Sequence, residues 1–223
     1  MSVAPSFIAS PRGTVTRVHG RSAKLLVTSL VLFSALPLSF GILRLLQLAG
    51  ISNAMPVPAA PPLPLILHIV GALLYAILGA FQFSSSIRRR WPALHRVSGR
   101  VALVGASLVV VSALWLTTVY ATPGVGGLVL AGFRMTVASA MALSIGLGLA
   151  AAIRRNIPSH REWMIRAYAL GLGSATQMLV LMVAEIAMGG PPTDLSRALL
   201  MGLAWGINLA VAEWSIRRGM RAT

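Results

Sequence analysis

Arg89-Arg90-Trp91-Pro92-Ala93-Leu94-His95-Arg96 and Arg154-Arg155-Asn156-Ile157-Pro158-Ser159-His160-Arg161 share one frame, Arg-Arg-x-x-x-x-His-Arg, repeated 65 residues apart. Each stretch joins two long apolar runs. A repeated connector between apolar runs predicts two helical hairpins related by internal pseudo-symmetry. It also predicts that His95 and His160 occupy equivalent places in one membrane bundle, where they could share a ligand.

Working outward, the composition agrees with a lipid-embedded core. Of 223 residues, 57% are hydrophobic and 10% charged, against roughly a quarter charged in soluble domains. The apolar runs reach the ~20 residues needed to cross ~30 Å of hydrocarbon. Six spans are expected, near 25–49, 64–84, 99–121, 127–152, 164–188 and 197–215. A mobile basic tail is expected over 1–23, a six-helix transmembrane domain over 24–216 and a basic tail over 217–223. The fold class is an all-α integral membrane protein. Spans two to five form a four-helix core of two repeated hairpins, flanked by spans one and six.

Charge orients this bundle. The N-terminal tail carries Arg12, Arg17, Arg21 and Lys24, and the C-terminal end carries Arg217, Arg218 and Arg221. The connection after span two, through the start of span three, carries Arg88, Arg89, Arg90, Arg96 and Arg100, and the one after span four, into span five, carries Arg154, Arg155, Arg161 and Arg166. Segments 50–63, 122–126 and 189–196 contain no Lys or Arg. By the positive-inside rule both termini and both basic connections are cytoplasmic. The first apolar run is too long for a signal peptide and no clear small-x-small cleavage site follows, so it reads as a retained span. The Pro-rich stretch Pro56 to Pro64 reads as an extended outer loop.

The net charge of +15 therefore points to the anionic inner leaflet as partner. Nucleic acid is not expected, because no basic helix with interleaved aromatics is present. The absence of cysteine excludes disulfides, thiolate haem ligation and Cys-held iron–sulfur clusters. No nucleotide-binding glycine loop, Ser-His-Asp set or His-Glu-x-x-His motif occurs, and no catalytic residue is assigned. Gly71, Gly79, Gly146, Gly148, Gly171 and Gly173 read as positions of close helix packing.

Polar groups inside the spans sort by depth. His68, Arg134 and Glu185, with Arg44, lie toward the outer face. Gln82, His95, His160, Arg166 and Glu213 lie toward the inner face, with Gln177 and Asn208 nearer the middle. Intramembrane charge is costly and tends to be paired, and Glu185 is the acid at the depth of Arg134, so an Arg134–Glu185 pair is expected. The 65-residue shift carries His68 onto Phe133, so the outer level offers no second histidine. The inner level offers His95 and His160, and bis-histidine haem ligation needs two imidazoles facing across a gap. A plainer reading makes both histidines interfacial residues that touch phosphates or cap helices. Two histidines make a poor zinc site; Glu162 could add a third ligand. His19 falls in the tail and reads as solvated.

His68-x-x-Gly71, Gly79-Ala80-Phe81-Gln82-Phe83, His95-Arg96-x-x-Gly99-Arg100, His160-Arg161-Glu162-Trp163-Met164-Ile165-Arg166 and Trp205-x-x-Asn208-Leu209-x-Val211-Ala212-Glu213-Trp214 together resemble a bacterial membrane family, domain of unknown function 2306. The resemblance spans roughly residues 25–216 and implies a multi-pass protein of the bacterial inner membrane. Where the family pattern often has an arginine in the middle of the fifth span, this chain has Gln177 nearby. The helix-and-histidine layout also looks distantly like transmembrane cytochrome b, which implies at most one haem here.

Three functional expectations follow. In the first, a small membrane redox protein holds one haem b between His95 and His160. Arg96, Arg100, Arg161 and Arg166 bind its propionates or lipid phosphate, and a quinone or membrane redox partner exchanges electrons. In the second, a transporter or permeation protein moves a small solute or proton past His68, Arg134 and Glu185. In the third, a non-catalytic scaffold binds anionic lipid through its basic loops.

Overall fold

Lipid leaves backbone polar groups no water to bond, so an apolar run must satisfy them within itself, as a helix does. A computed structural model describes residues 14–53, 62–119 and 127–221, with backbone alone for 14–23 and 221. Among the described residues there are eight helices and no strand. They are α1 (Thr14–Leu48), α2 (Pro62–Gln82), α3 (Ser85–Arg90), α4 (Pro92–Val119), α5 (Gly127–Ile153), α6 (Ile157–Gly171), α7 (Gly173–Met188) and α8 (Asp194–Arg221). Residues 1–13 of the expected tail, most of the Pro-rich outer loop and residues 222–223 lie outside the described residues.

Five helices, α1, α2, α4, α5 and α8, are long and apolar enough to cross a membrane. The fifth expected span is not one rod. It is α6 and α7, bent by 41° at Leu172, and the pair counts as a sixth span if it crosses as a unit. The local cause is Gly171-Leu172-Gly173: glycine is the weakest helix former after proline. The two glycines also admit aromatic rings, Tyr75 against Gly171 and the Trp205 indole against Gly173.

The two expected hairpins form. The largest helix interface is α2 on α4, and the next is α5 on α6. Gly71 and Gly105 set the first, each meeting the other's backbone: a Cβ on Gly71 would stand 2.7 Å from the Gly105 carbonyl oxygen. Gly79 admits the Tyr168 ring, and Gly148 admits Met164 and Trp163. Gly146, also expected at a close contact, faces open space. Tyr75, Met141 and Tyr168 join in the buried core, with Tyr168 edge-on to Tyr75 and Phe83 at 5.6 and 5.1 Å between ring centres. Around this core α1 leans on α2 and α7, and α8 leans on α7, α5 and α6. Only 6% of the apolar window of α1 is buried, against 28–33% for α2, α4 and α5, so α1 is the peripheral helix.

Several boundaries differ from expectation for one reason. Proline fits the first turn of a helix, where an N–H would be unpaired anyway. Pro92 and Pro158 therefore start helices instead of ending loops, and α4 begins at Pro92 and α6 at Ile157. His95 and His160 thus stand in first turns, each with its N–H bonded to the carbonyl four residues back, on Trp91 and Asn156, at 3.0 Å in both. Neither caps its helix. Asn156 caps α6 by accepting from Ser159 N. The connectors themselves diverge. The first contains the short helix α3, capped by Ser84, whose side chain accepts from Ile87 N. The second is a tight turn with Arg155 at φ 59°. There, Asn156 N bonds Ala151 O and Arg155 N bonds Ala152 O, the Schellman pattern that usually carries glycine.

Candidate functional site

The break at Leu172 opens onto a cavity of about 360 Å³. This is within the volume range of small-molecule sites, which are mostly apolar with a few convergent polar groups. Leu170, Gly171, Leu172 and Ser174 form the wall at the break. Tyr75, Met141 and Trp205 line its body, and Ser34 and Pro37 of α1 its far side. Pro37 is a second helix irregularity on the same cavity, since proline removes a helical hydrogen bond.

His68 and Arg134 reach this cavity from the end of the bundle that is poor in basic residues. His68 lies six residues into α2 and Arg134 seven into α5, roughly 10 Å along each helix at 1.5 Å per residue. The side chain of Ser112, 1% exposed, donates its hydroxyl proton to Leu108 O at 2.5 Å. It therefore receives, at 3.1 Å, a hydrogen bond from His68 Nδ1. That assignment rests on the network, in which the Val109 backbone is a further partner of the His68 ring. Arg134 is near enough for its charge to act on His68. It forms no hydrogen bond or ion pair with the described residues.

The break has its own polar frame. The Asn208 side chain donates from Nδ2 to Ala169 O at 3.0 Å and accepts from Thr176 Oγ1 at 2.7 Å. Ala169 O is the carbonyl that an unbroken helix would pair with Gly173 N. Tyr168 Oη donates to Ala76 O at 2.8 Å, tying α6 to α2. Gln177 lines the cavity and donates weakly to Met201 O at 3.4 Å.

The expected Arg134–Glu185 pair does not form. The two ion pairs among the described residues both use Arg166: Nε lies 2.5 Å from Glu213 Oε1 and Nη1 lies 4.0 Å from Glu162. A second bond, Nη2 to Glu213 Oε2 at 3.1 Å, makes the contact bidentate. Glu185 is exposed near the end of α7, which packs on α8 and α1, while α5 packs on α6, α4 and α8. Equal depth did not imply facing sides. Arg166, expected at a propionate or phosphate, clamps α6 to α8 and lies over the Trp163 ring at 4.7 Å.

At the arginine-rich end, His160 Nδ1 donates to Gly148 O at 2.8 Å, which leaves Nε2 free. His95 Nδ1 is buried and has no hydrogen-bond partner among the described residues. Arg88, Arg96 and His160 are all close enough to act electrostatically on His95. In kind, these donors fit two axial imidazoles. The cavity described above is lined by neither of them. No group of three or more metal-ligating side chains occurs among the described residues, so Glu162 does not complete a third-ligand site. Arg96, Arg100 and Arg161 are exposed. Gln82 Nε2 donates to Ser98 Oγ at 2.9 Å and holds α2 to α4.

Sequence reasoning missed Ser112, Tyr75, Tyr168 and Trp205. Glycines four residues before Tyr75 and after it along α2 were visible, yet nothing in one sequence says which aromatic fills which gap. No curated protein and no solved structure matches the chain. Residues 65–216, α2 through most of α8, match the family described as predicted membrane protein (DUF2306). The chain belongs to that family of membrane proteins, with α1 outside the matched region.

Proposed function

We propose that this protein takes a small, largely apolar solute into the cavity at the α6–α7 break, as a transporter or permeation protein. His68 and Arg134 are its polar contacts. One observation carries the reading: the sharply bent span, the Pro37 irregularity and an intramembrane arginine with no partner among the described residues all border one cavity. Interrupted helices in a membrane are tolerated where they are buried in protein or line a cavity, and binding sites of secondary transporters are built on them. Glu185, expected as a third contact, stands apart from it. The proposed setting is the bacterial inner membrane, with six spans and both termini cytoplasmic. The clustering of basic residues at one end of the bundle supports that orientation and an anionic leaflet there.

The chain has no cysteine, so single cysteines report access directly. Ala72 lines the cavity, and Leu143 is exposed on α5. Ala72→Cys should react with a small water-soluble thiol reagent, and Leu143→Cys in lipid should not. Reaction of Ala72→Cys from both membrane faces, tested in cells and in inverted vesicles, supports transport. Access from one face alone reduces the reading to a binding protein, and no reaction removes it.

A second reading rests on the bare Nδ1 of His95 and the free Nε2 of His160. In it, one haem b is held between them, as the cytochrome b likeness implies, with electrons passing to a quinone. A reduced-minus-oxidised spectrum of protein made with ample haem tests it. A b-type band lost on His95→Ala or His160→Ala supports it; a colourless, folded protein disposes of it.

A further inference from the structure

We infer that the solute of this cavity is an amphipathic carboxylate, with its acid group at Arg134 and His68 and its apolar body over Tyr75, Met141 and Trp205. This rests on the cavity reading above and names the ligand class.

The argument starts from the supply of acids. The chain contains four: Glu162, Glu185, Asp194 and Glu213. All lie within the described residues, and none pairs with Arg134. Glu213 and Glu162 serve Arg166, Glu185 is exposed on α7, and Asp194 starts α8. A guanidinium within a membrane span is costly and marks a functional position by default. Arg134 is exposed on the lining of the cavity with no carboxylate of this chain to offset that cost, so an anion entering the cavity meets an available guanidinium.

His68 narrows the class. Its Nδ1–H is committed to Ser112, whose own proton is committed to Leu108 O. The Val109 backbone is a further hydrogen-bond partner of this imidazole, and the ring borders the cavity beside Arg134. A carboxylate meets the demand of the site: its oxygens accept from the guanidinium in charge-assisted, bidentate fashion, with the His68 ring at its edge. An amine would be repelled by Arg134. A neutral alcohol or amide would leave the arginine charge unpaired. A phosphate dianion would meet a single cation where it favours several. The remaining wall is largely apolar, which asks for a hydrocarbon or aromatic body behind the acid.

The test uses the full chain carrying Ala72→Cys in lipid nanodiscs, one turn from His68. Its labelling rate is measured with decanoate, decanol or decylamine present. Decanoate should slow labelling at concentrations about tenfold below those at which decanol does, the scale of one charge-assisted hydrogen bond. Decylamine should not protect. Arg134→Gln should abolish the preference for the acid, and Arg134→Lys should keep part of it. Should Arg134→Gln not fold, the thermal shift of the unaltered protein by decanoate against decanol reads the same preference. Equal protection by decanol and decanoate, or an acid preference that survives Arg134→Gln, overturns the carboxylate inference while leaving the cavity reading intact. Failure of Ala72→Cys to label without ligand overturns both.

Discussion

Gly71 shows how much one missing methyl controls here. In water, helix association gains from burying apolar surface. In lipid that gain is absent, and close packing of small residues supplies the attraction. At Gly71 the neighbour is backbone: an added methyl would stand against the Gly105 carbonyl and 2.9 Å from the Leu108 Cβ. Backbone cannot rotate away as a side chain can. Gly71→Ala should therefore cost about 1–3 kcal/mol, the usual scale of overpacking, read as a lower unfolding temperature in detergent. Gly146→Ala is the control: its added methyl meets nothing and alanine is the better helix former, so stability should hold or rise slightly. A fall at Gly146 equal to that at Gly71 would contradict the packing account. Both glycines look alike in the sequence, and the difference between them lies wholly in what faces them.

At the scale of the element, the α6–α7 break is the feature on which the site depends. A carbonyl freed inside a membrane needs a partner, and Asn208 provides it while Thr176 holds the amide in place. Asn208→Leu removes both bonds but keeps the branched shape and the number of heavy atoms. The expected loss is about 1 kcal/mol, in line with interhelical hydrogen bonds measured in membranes, with greater access of Ala72→Cys to thiol reagents as the break loosens. Unchanged stability together with unchanged access would mean that the glycines alone maintain the bend. Hydropathy recognised this segment as one span, because each half is apolar and a 41° bend leaves mean hydropathy untouched. The glycine pair flanking Leu172 was the available signal, and by itself it is equally a mark of close packing.

For the whole molecule, the sequence places 16 of its 19 basic residues in the tails, the two repeated connectors and the first residues of the spans that follow them. The proposed orientation puts Ser159 in the cytoplasm and Thr193 outside. In intact cells an impermeant thiol reagent should label Thr193→Cys and leave Ser159→Cys untouched until the membrane is opened. The reverse pattern would invert the topology and with it the face on which His68 and Arg134 lie.

Length, hydropathy and charge determine quantities measured along the chain or across the membrane. They were enough for the helical class, the approximate spans, the two hairpins around the repeated frame and the position of Arg134 within a span. They were enough because lipid imposes the same demand on every segment: satisfy the backbone internally and keep charge at the ends. Which sides of the helices meet is a different kind of quantity, an angle around each axis. Packing sets it, through pairs such as Gly71 with Gly105 and Tyr168 with Gly79. That angle gave Glu213 to Arg166 across 47 residues, left Arg134 without Glu185, and turned the Gly171-Leu172-Gly173 step into the wall of a cavity.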